Sequence, residues 1–329
     1  MSEAQPARGE RRSSDRNVAP IAIIALGGNA LAPSGEDATI QNQFRHTRES
    51  LAPIVDLVGD GWNVCIVHGN GPQVGDELFR QELARHDAPP LPLGVLVAAT
   101  AGWIGYMIQQ SLENALRRLD STRRVATIVT QVEVDPNDPS LKNPTKFIGH
   151  EVSPARAAEL ERAGHSVKQD GRGQPRRVVG SPAPVAIHEL SVIRQLVQSA
   201  VIVIAVGGGG APIYRHSTLG WEGIDAIVDK DLAAAVLARD LGAQLLLILT
   251  DVDRVYLDWG KPTQRPVETL TVDDAERLDR EGQFGEGSMA PKIRAAIDFV
   301  RRTKGRAVIT SLAKGRAAVH GKAGTTIVA

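Results

Sequence analysis

The chain has 329 residues, with 38 Lys+Arg against 38 Asp+Glu, so its formal net charge is zero. Apolar residues make up 42% and charged ones 23%; this globular composition excludes disorder, and the charge balance argues against wholesale binding to nucleic acid or a membrane surface. A single cysteine excludes an internal disulfide framework, whereas the 32 glycines exceed the roughly 23 of average usage by about nine.

Residues 1–18 mix arginines with Glu3, Glu10 and Asp15 and lack an apolar core, so they read as a flexible tail rather than a secretory signal. Apolar runs at 21–26, 64–67, 126–130, 201–206, 245–249 and 307–309 predict buried strands. They are continuous rather than alternating, the pattern of parallel strands covered on both faces. Cys65 lies in the second run and reads as a small core residue. Helical periodicity at 40–58, 74–85, 93–119, 189–199, 232–241 and 293–302 separates the strands and predicts an α/β fold with a mainly parallel sheet. Residues 88–112 carry no charge, but prolines and glycines cut the apolar part below the ~20 residues of a membrane span. Ala98, Ala101, Gly102 and Gly105 give the helix there small residues at four-residue spacing, which suits close approach in the core or at a subunit interface. Residues 135–184 turn polar and rich in Pro and Gly, with a short helix near 154–163, and read as an inserted subdomain or lid.

Four glycine clusters punctuate these elements: Gly27-Gly28-Asn29, Gly69-Asn70-Gly71, Gly207 to Gly210, and Gly287-Ser288. Three follow predicted strands and the fourth enters a helix. Without Cβ, backbone N–H groups approach an anion closely, and a following helix N-terminus adds positive potential. Ligands of open α/β sheets sit outside the carboxyl ends of the strands. The clusters therefore point to a phosphoryl ligand. Neither a G-x-x-x-x-G-K-[ST] loop nor a G-x-G-x-x-G opening a helix is present, which argues against a P-loop enzyme and a dinucleotide site.

Residues 25–31 (ALGGNAL), 68–75 (HGNGPQVG), 143–149 (NPTKFIG), 176–184 (RRVVGSPAP), 227–234 (IVDKDLAA), 248–256 (ILTDVDRVY), 260–264 (GKPTQ) and 287–292 (GSMAPK) occur in one order along the chain. In these motifs the sequence resembles the carbamate kinases of the amino acid kinase superfamily. The resemblance implies an open three-layer αβα sandwich with an inserted protruding subdomain. Its acceptor lobe would be 19–205, including the lid, and its nucleotide lobe 206–329. It also implies ATP or ADP with Mg²⁺ held mainly by nucleotide phosphates, carbamate or carbamoyl phosphate as partner substrate, a homodimer, and a cytoplasmic setting.

Phosphoryl transfer needs in-line positioning and positive charge rather than covalent chemistry. Lys230 and Lys292 are the candidates for that charge. Superfamily members often carry a lysine two residues before the first Gly-Gly, where this chain has Ala25, so the resemblance makes Lys230 its substitute. Asp231 would orient both lysines without acting as a base, and Lys146 would reach in from the lid. Gly27, Gly28, Asn29, Gly69, Asn70, Gly71, Gly208 and Gly209 would bind the acceptor and the transferred group; Asn29 and Asn70 suit turn positions equally. Gly207, Asp229, Thr250, Asp251, Val252, Tyr256, Lys261, Gly287, Ser288 and Met289 would bind the nucleotide, although Lys261 also reads as a plain turn lysine. His68 reads as a structural histidine. Val206, Arg254 and Ala290 depart from the family's usual residues. The rival readings are a kinase of the same fold for another small carboxylate or phosphate, and a non-catalytic nucleotide sensor.

Overall fold

The computed structural model describes residues 19–28, 31–33, 36–285 and 287–329. The expected tail 1–18 and Asn29 lie outside the described residues. The apolar runs form a sheet in the order Thr269–Thr271, Thr325–Val328, Arg306–Ser311, Leu245–Thr250, Ile21–Leu26, Asn63–His68, Ile202–Ile204, Val125–Thr127. All pairings along it are parallel except that of Arg306–Ser311 with Thr325–Val328.

Successive residues of a strand point to opposite faces, and both faces here are dry. Ile23, Ala25, Cys65, Val67, Val203, Leu246 and Ile248 join one apolar cluster with helices Leu190–Gln198, Lys230–Leu241, Val272–Arg280 and Ala290–Thr303. Their neighbours Ala22, Ile24, Leu26, Val64, Ile66, Ile204, Leu245 and Leu247 join a second cluster with Ala52–Gly59 and Leu93–Arg117. The result is the expected three-layer αβα sandwich.

Most predicted spans shift by a few residues at their ends, and three elements break or stop short. The helix expected over 40–58 is two helices, Ile40–Glu49 and Ala52–Gly59. Pro53 lacks an N–H and its ring collides with the carbonyl four residues back, which disfavours one continuous helix there. The strand expected over 126–130 ends at Thr127, and the chain then enters a separate sheet at Gln131–Val134. The strand expected over 201–206 is only Ile202–Ile204, because Val206 turns left-handed at φ 55°.

Of the small residues of helix Leu93–Arg117, Ala101 and Gly105 are buried in the core, whereas Ala98 and Gly102 are partly exposed. A Cβ on Gly105 would stand 2.2 Å from Thr127 Cγ2, and one on Gly207 would stand 2.8 Å from the Ala101 methyl. The insert contributes no strand to the main sheet. It forms its own three-stranded antiparallel sheet, ordered Lys146–Glu151, Pro175–Val179, Ser166–Gln169, beside helix Pro154–Arg162. Among the described residues no helix is long and apolar enough to cross a membrane.

Candidate active site

Parallel strands deliver their carboxyl ends to one edge of the sheet, and the glycine loops meet there. Gly27 N–H donates to Leu249 O at 3.1 Å and Gly69 N–H to Leu26 O at 2.9 Å, tying three strand ends together. A Cβ on Gly69 would lie 2.8 Å from Gly28 N and 3.2 Å from the Lys230 side chain, so only glycine lets the first two loops and this lysine close up. Gly71 and Gly287 are exposed, with nothing within 4 Å of a notional Cβ.

The loop Gly207–Gly209 has a different physical role from an open anion cradle. All of its glycines are buried. Cβ atoms would fall 2.6 Å from His68 Nε2 at Gly207, 2.2 Å from Asn70 Nδ2 at Gly208 and 2.2 Å from Val228 O at Gly209. These glycines let the second strand end pack against the entry to helix Lys230–Leu241. Val206, before them, is a β-branched residue held at positive φ, a strained conformation of the kind that persists where surrounding packing fixes it.

Helix Lys230–Leu241 starts at this point. Asp229 is its N-cap, and one carboxylate oxygen accepts from Asp231 N at 2.9 Å and Leu232 N at 3.4 Å. The other accepts from Lys146 Nζ of the insert at 2.6 Å. Asp231 Oδ1 accepts from Lys230 Nζ at 2.5 Å and its Oδ2 from Lys292 Nζ at 3.1 Å. Lys292 also donates to Ser288 O at 3.1 Å. It lies in the first turn of helix Ala290–Thr303, where a cation opposes the helix dipole.

Asp231 is 3% exposed in its side chain. Burial is the largest influence on its carboxyl and disfavours ionisation, but the two ammonium groups outweigh it and hold the pKa at about 2. Burial also pulls Lys230 down, reinforced by the charge of Lys292 and opposed by Asp231 and Asp229. At Lys292 burial pulls the same way, yet the carboxylates of Asp231, Asp229 and Asp251 outweigh it and raise the pKa. Asp231 is therefore an ionised acceptor for two donors.

The structure thus gathers Lys146, Asp229, Lys230, Asp231, Ser288 and Lys292 around the loops of Gly28, Gly69 and Asn70. Asn70 is buried and donates to Thr100 Oγ1 at 2.9 Å, which fixes its amide. This bond was not legible in the sequence, because nothing marks a helix hydroxyl as the partner of a loop 30 residues earlier. His68 is buried, with Nδ1–H donating to Gly69 O at 3.0 Å, and burial above all pulls its pKa to about 4. It is a neutral structural histidine. Thr250 ends the neighbouring strand and Asp251 and Val252 follow it, with Asp251 close enough for its charge to act on Lys292. Farther along, Tyr256 packs edge-on to Trp259 with centroids 5.4 Å apart, and Lys261 pairs with Asp258 at 3.2 Å. Met289 caps helix Ala290–Thr303 and packs against the core.

Lysines paired with carboxylates at helix N-termini, beside glycine loops at parallel strand ends, define a site suited to phosphoryl transfer. Residues 20–311 match the amino acid kinase family. The chain is 44% identical over 312 residues to the carbamate kinase of Clostridium perfringens, covering 93% of this chain and 99% of that protein. It is 43% identical over 311 residues to a carbamate kinase-like protein of Escherichia coli, covering 93% and 98%. The structure of Giardia lamblia carbamate kinase bound to AMP-PNP superposes with a TM-score of 0.87 at 36% identity, covering 94% of this chain and 98% of that one. The chain belongs to the amino acid kinase family, in its carbamate kinase branch, and is a phosphotransferase of that group.

Proposed function

We propose that the protein transfers a phosphoryl group reversibly between ATP and carbamate, working chiefly from carbamoyl phosphate and ADP towards ATP. The observation that carries this reading is the shared carboxylate of Asp231, which holds Lys230 and Lys292 side by side at the glycine loops. In the ATP-forming direction a β-phosphate oxygen of ADP attacks the phosphorus in line. The bond from phosphorus to the carbamoyl oxygen breaks, and carbamate leaves with the electron pair. Both nucleophile and leaving group are anions, so no proton needs to be moved. The need is positive charge around the equatorial oxygens, which two fixed ammonium groups supply.

In this reading residues 19–205 form the acceptor lobe and 206–329 the nucleotide lobe. Gly27, Gly28, Gly69, Asn70 and Gly71 hold the acceptor and transferred group, with Gly208 and Gly209 shaping the same floor. Thr250, Asp251, Val252, Tyr256, Lys261, Gly287, Ser288 and Met289 lie along the nucleotide. Lys146 brings a third ammonium from the lid. Mg²⁺ would be carried by the nucleotide phosphates and would supply further positive charge to the transferring group. The carboxylates of Asp229 and Asp231 already accept from lysines, which suits an ion held mainly by phosphate and water. A cytoplasmic homodimer completes the proposal. Val95 and Tyr106 are exposed on the uncharged part of helix Leu93–Arg117, which is consistent with a covered face, and light scattering giving a monomer mass at micromolar concentration would remove that part.

The test is ATP formation from carbamoyl phosphate and MgADP in a coupled assay. The expected result is ATP well above the uncatalysed rate. No ATP with ADP binding intact makes the protein a nucleotide sensor. ATP from acetyl phosphate but not carbamoyl phosphate makes it a kinase for another acceptor, an outcome kept in view by the 43% identity to a protein called only carbamate kinase-like.

A further inference from the structure

We infer that Asp229 is a positioning residue that fastens the insert's lysine to the helix end carrying the other two. The inference rests on the proposed function and deepens it. It gives Asp229 a role other than nucleotide contact.

Three observations carry it. The carboxylate of Asp229 is 8% exposed by residue, and both of its oxygens are taken by protein donors. Oδ1 caps helix Lys230–Leu241 by accepting from Asp231 N at 2.9 Å, which fixes the backbone from which Lys230 and Asp231 project. Oδ2 accepts from Lys146 Nζ at 2.6 Å, a contact spanning 83 residues of sequence and joining the insert to the main body.

The consequence is a chain of alternating charge. Lys146 pairs with Asp229, the next residue Lys230 pairs with Asp231, and Asp231 pairs with Lys292. Along this chain three ammonium groups share two carboxylates beside the glycine loops. Without Asp229, Lys146 would be repelled by the two lysines already there and, with a side chain 36% exposed, would be free to swing into solvent. With Asp229, its ammonium is held ready before an anionic substrate arrives. Preorganised charge of this kind raises the rate of the chemical step rather than nucleotide affinity.

The test is a double-mutant cycle on the full-length protein, read as kcat and as KM for MgADP in the carbamoyl phosphate assay. Asp229→Asn and Asp229→Ser both retain an N-capping oxygen, and both remove the anion that Lys146 pairs with. The expected result is a fall in kcat of about tenfold or more for either variant, with KM for MgADP within twofold of wild type. Lys146→Met should show a loss at least as large, and Asp229→Asn combined with Lys146→Met should lose no more than Lys146→Met alone. Wild-type kcat in both Asp229 variants overturns the inference. So does a double variant whose loss is the product of the two single losses, since that would mean Asp229 acts independently of Lys146. A raised KM for MgADP with unchanged kcat returns Asp229 to the nucleotide. If Lys146→Met alone leaves kcat unchanged, Lys146 has no role to be positioned for, and the inference falls while the wild-type activity stands. Absence of activity in the wild type instead removes the proposed function itself. Asp229→Ser keeps the test open if Asp229→Asn fails to fold, as thermal melts would reveal.

Discussion

At the scale of single residues the site is governed by one carboxylate with two claims on it. Asp231 is buried, stays ionised with a pKa of about 2, and accepts from Lys230 and Lys292. Removing its charge leaves two buried ammonium groups facing each other, so Asp231→Asn should destabilise the fold by about 3–5 kcal/mol in urea titrations. Lys292→Ala removes one of the charges offered to the transferred group and should lower kcat by ~10²-fold or more in the ATP-forming assay. An unchanged kcat would take Lys292 out of the mechanism. His68 gives a stability prediction with a definite sign. Its pKa falls from 6.5 to about 4 on folding, chiefly through burial, so the unfolded chain binds a proton that the folded one refuses. The neutral ring's contribution is present above pH 6.5 and is lost as pH drops towards 4, on the order of 3 kcal/mol. Urea titrations of the wild type should become steeper in pH over that window than those of a His68→Gln variant, and parallel curves would refute the assignment.

At the scale of elements, the loop after strand Ile202–Ile204 decides how closely the site can assemble. Gly209 has φ 92°, and a Cβ there would lie 2.2 Å from Val228 O, a backbone atom that cannot turn aside. The backbone conformation alone costs a side-chain-bearing residue roughly 1–3 kcal/mol. Gly209→Ala should therefore destabilise by at least that amount and shift the start of helix Lys230–Leu241, while Gly71→Ala, in open space, should leave the denaturation midpoint nearly unchanged. These two glycines look alike in the sequence, and their difference marks where sequence reasoning stops. The strands were legible because burial on both faces demands unbroken apolar runs, and Lys230 and Lys292 were legible because each follows a distinctive motif at a helix start. The packing of Gly207, Gly208 and Gly209 on His68, Asn70 and Val228 was not legible, because close approach of remote segments leaves no local signal. Nor was the pair of roles of Asp229, whose two oxygens accept from a helix N-terminus and from Lys146: a capping aspartate and a ligand-binding one are written identically. The broken helix at Ser50 and Leu51 is a different case, since Pro53 announces it in the sequence and the periodic apolar pattern merely ran across it.

At the scale of the whole molecule, the question is how a separate small sheet delivers Lys146 to a site built by the main body. Composition marks the limits of the insert but not its docking, which depends on partners far apart in sequence. Arg156 and Arg177 both reach Glu82, at 2.6 and 3.2 Å, and His150 meets Asp76 at 2.6 Å, all on helix Gly71–Ala84. Ile148 and Val179 pack with Val74, Leu96 and Ile227 in a third apolar cluster beneath them. The tightest contact in this docking is glycine on glycine: a Cβ on Gly75 would lie 2.4 Å from Gly149 Cα. Gly149 belongs to strand Lys146–Glu151, which bears Lys146 at its start. Gly75 sits inside a helix, where alanine is intrinsically favoured by about 1 kcal/mol. Gly75→Ala therefore sets local helix stability against docking of the insert, because the insert strand must retreat by about 1 Å to reach ordinary contact. A displacement of that size at a charge-bearing group costs up to 10²-fold in rate. The expected outcome is a kcat reduced by tenfold or more and faster tryptic cleavage within the insert, with a melting temperature at or near that of the wild type. Full activity in Gly75→Ala would mean that Lys146 reaches the site whatever the seat of the insert, and the close glycine contact would then be packing without consequence for catalysis.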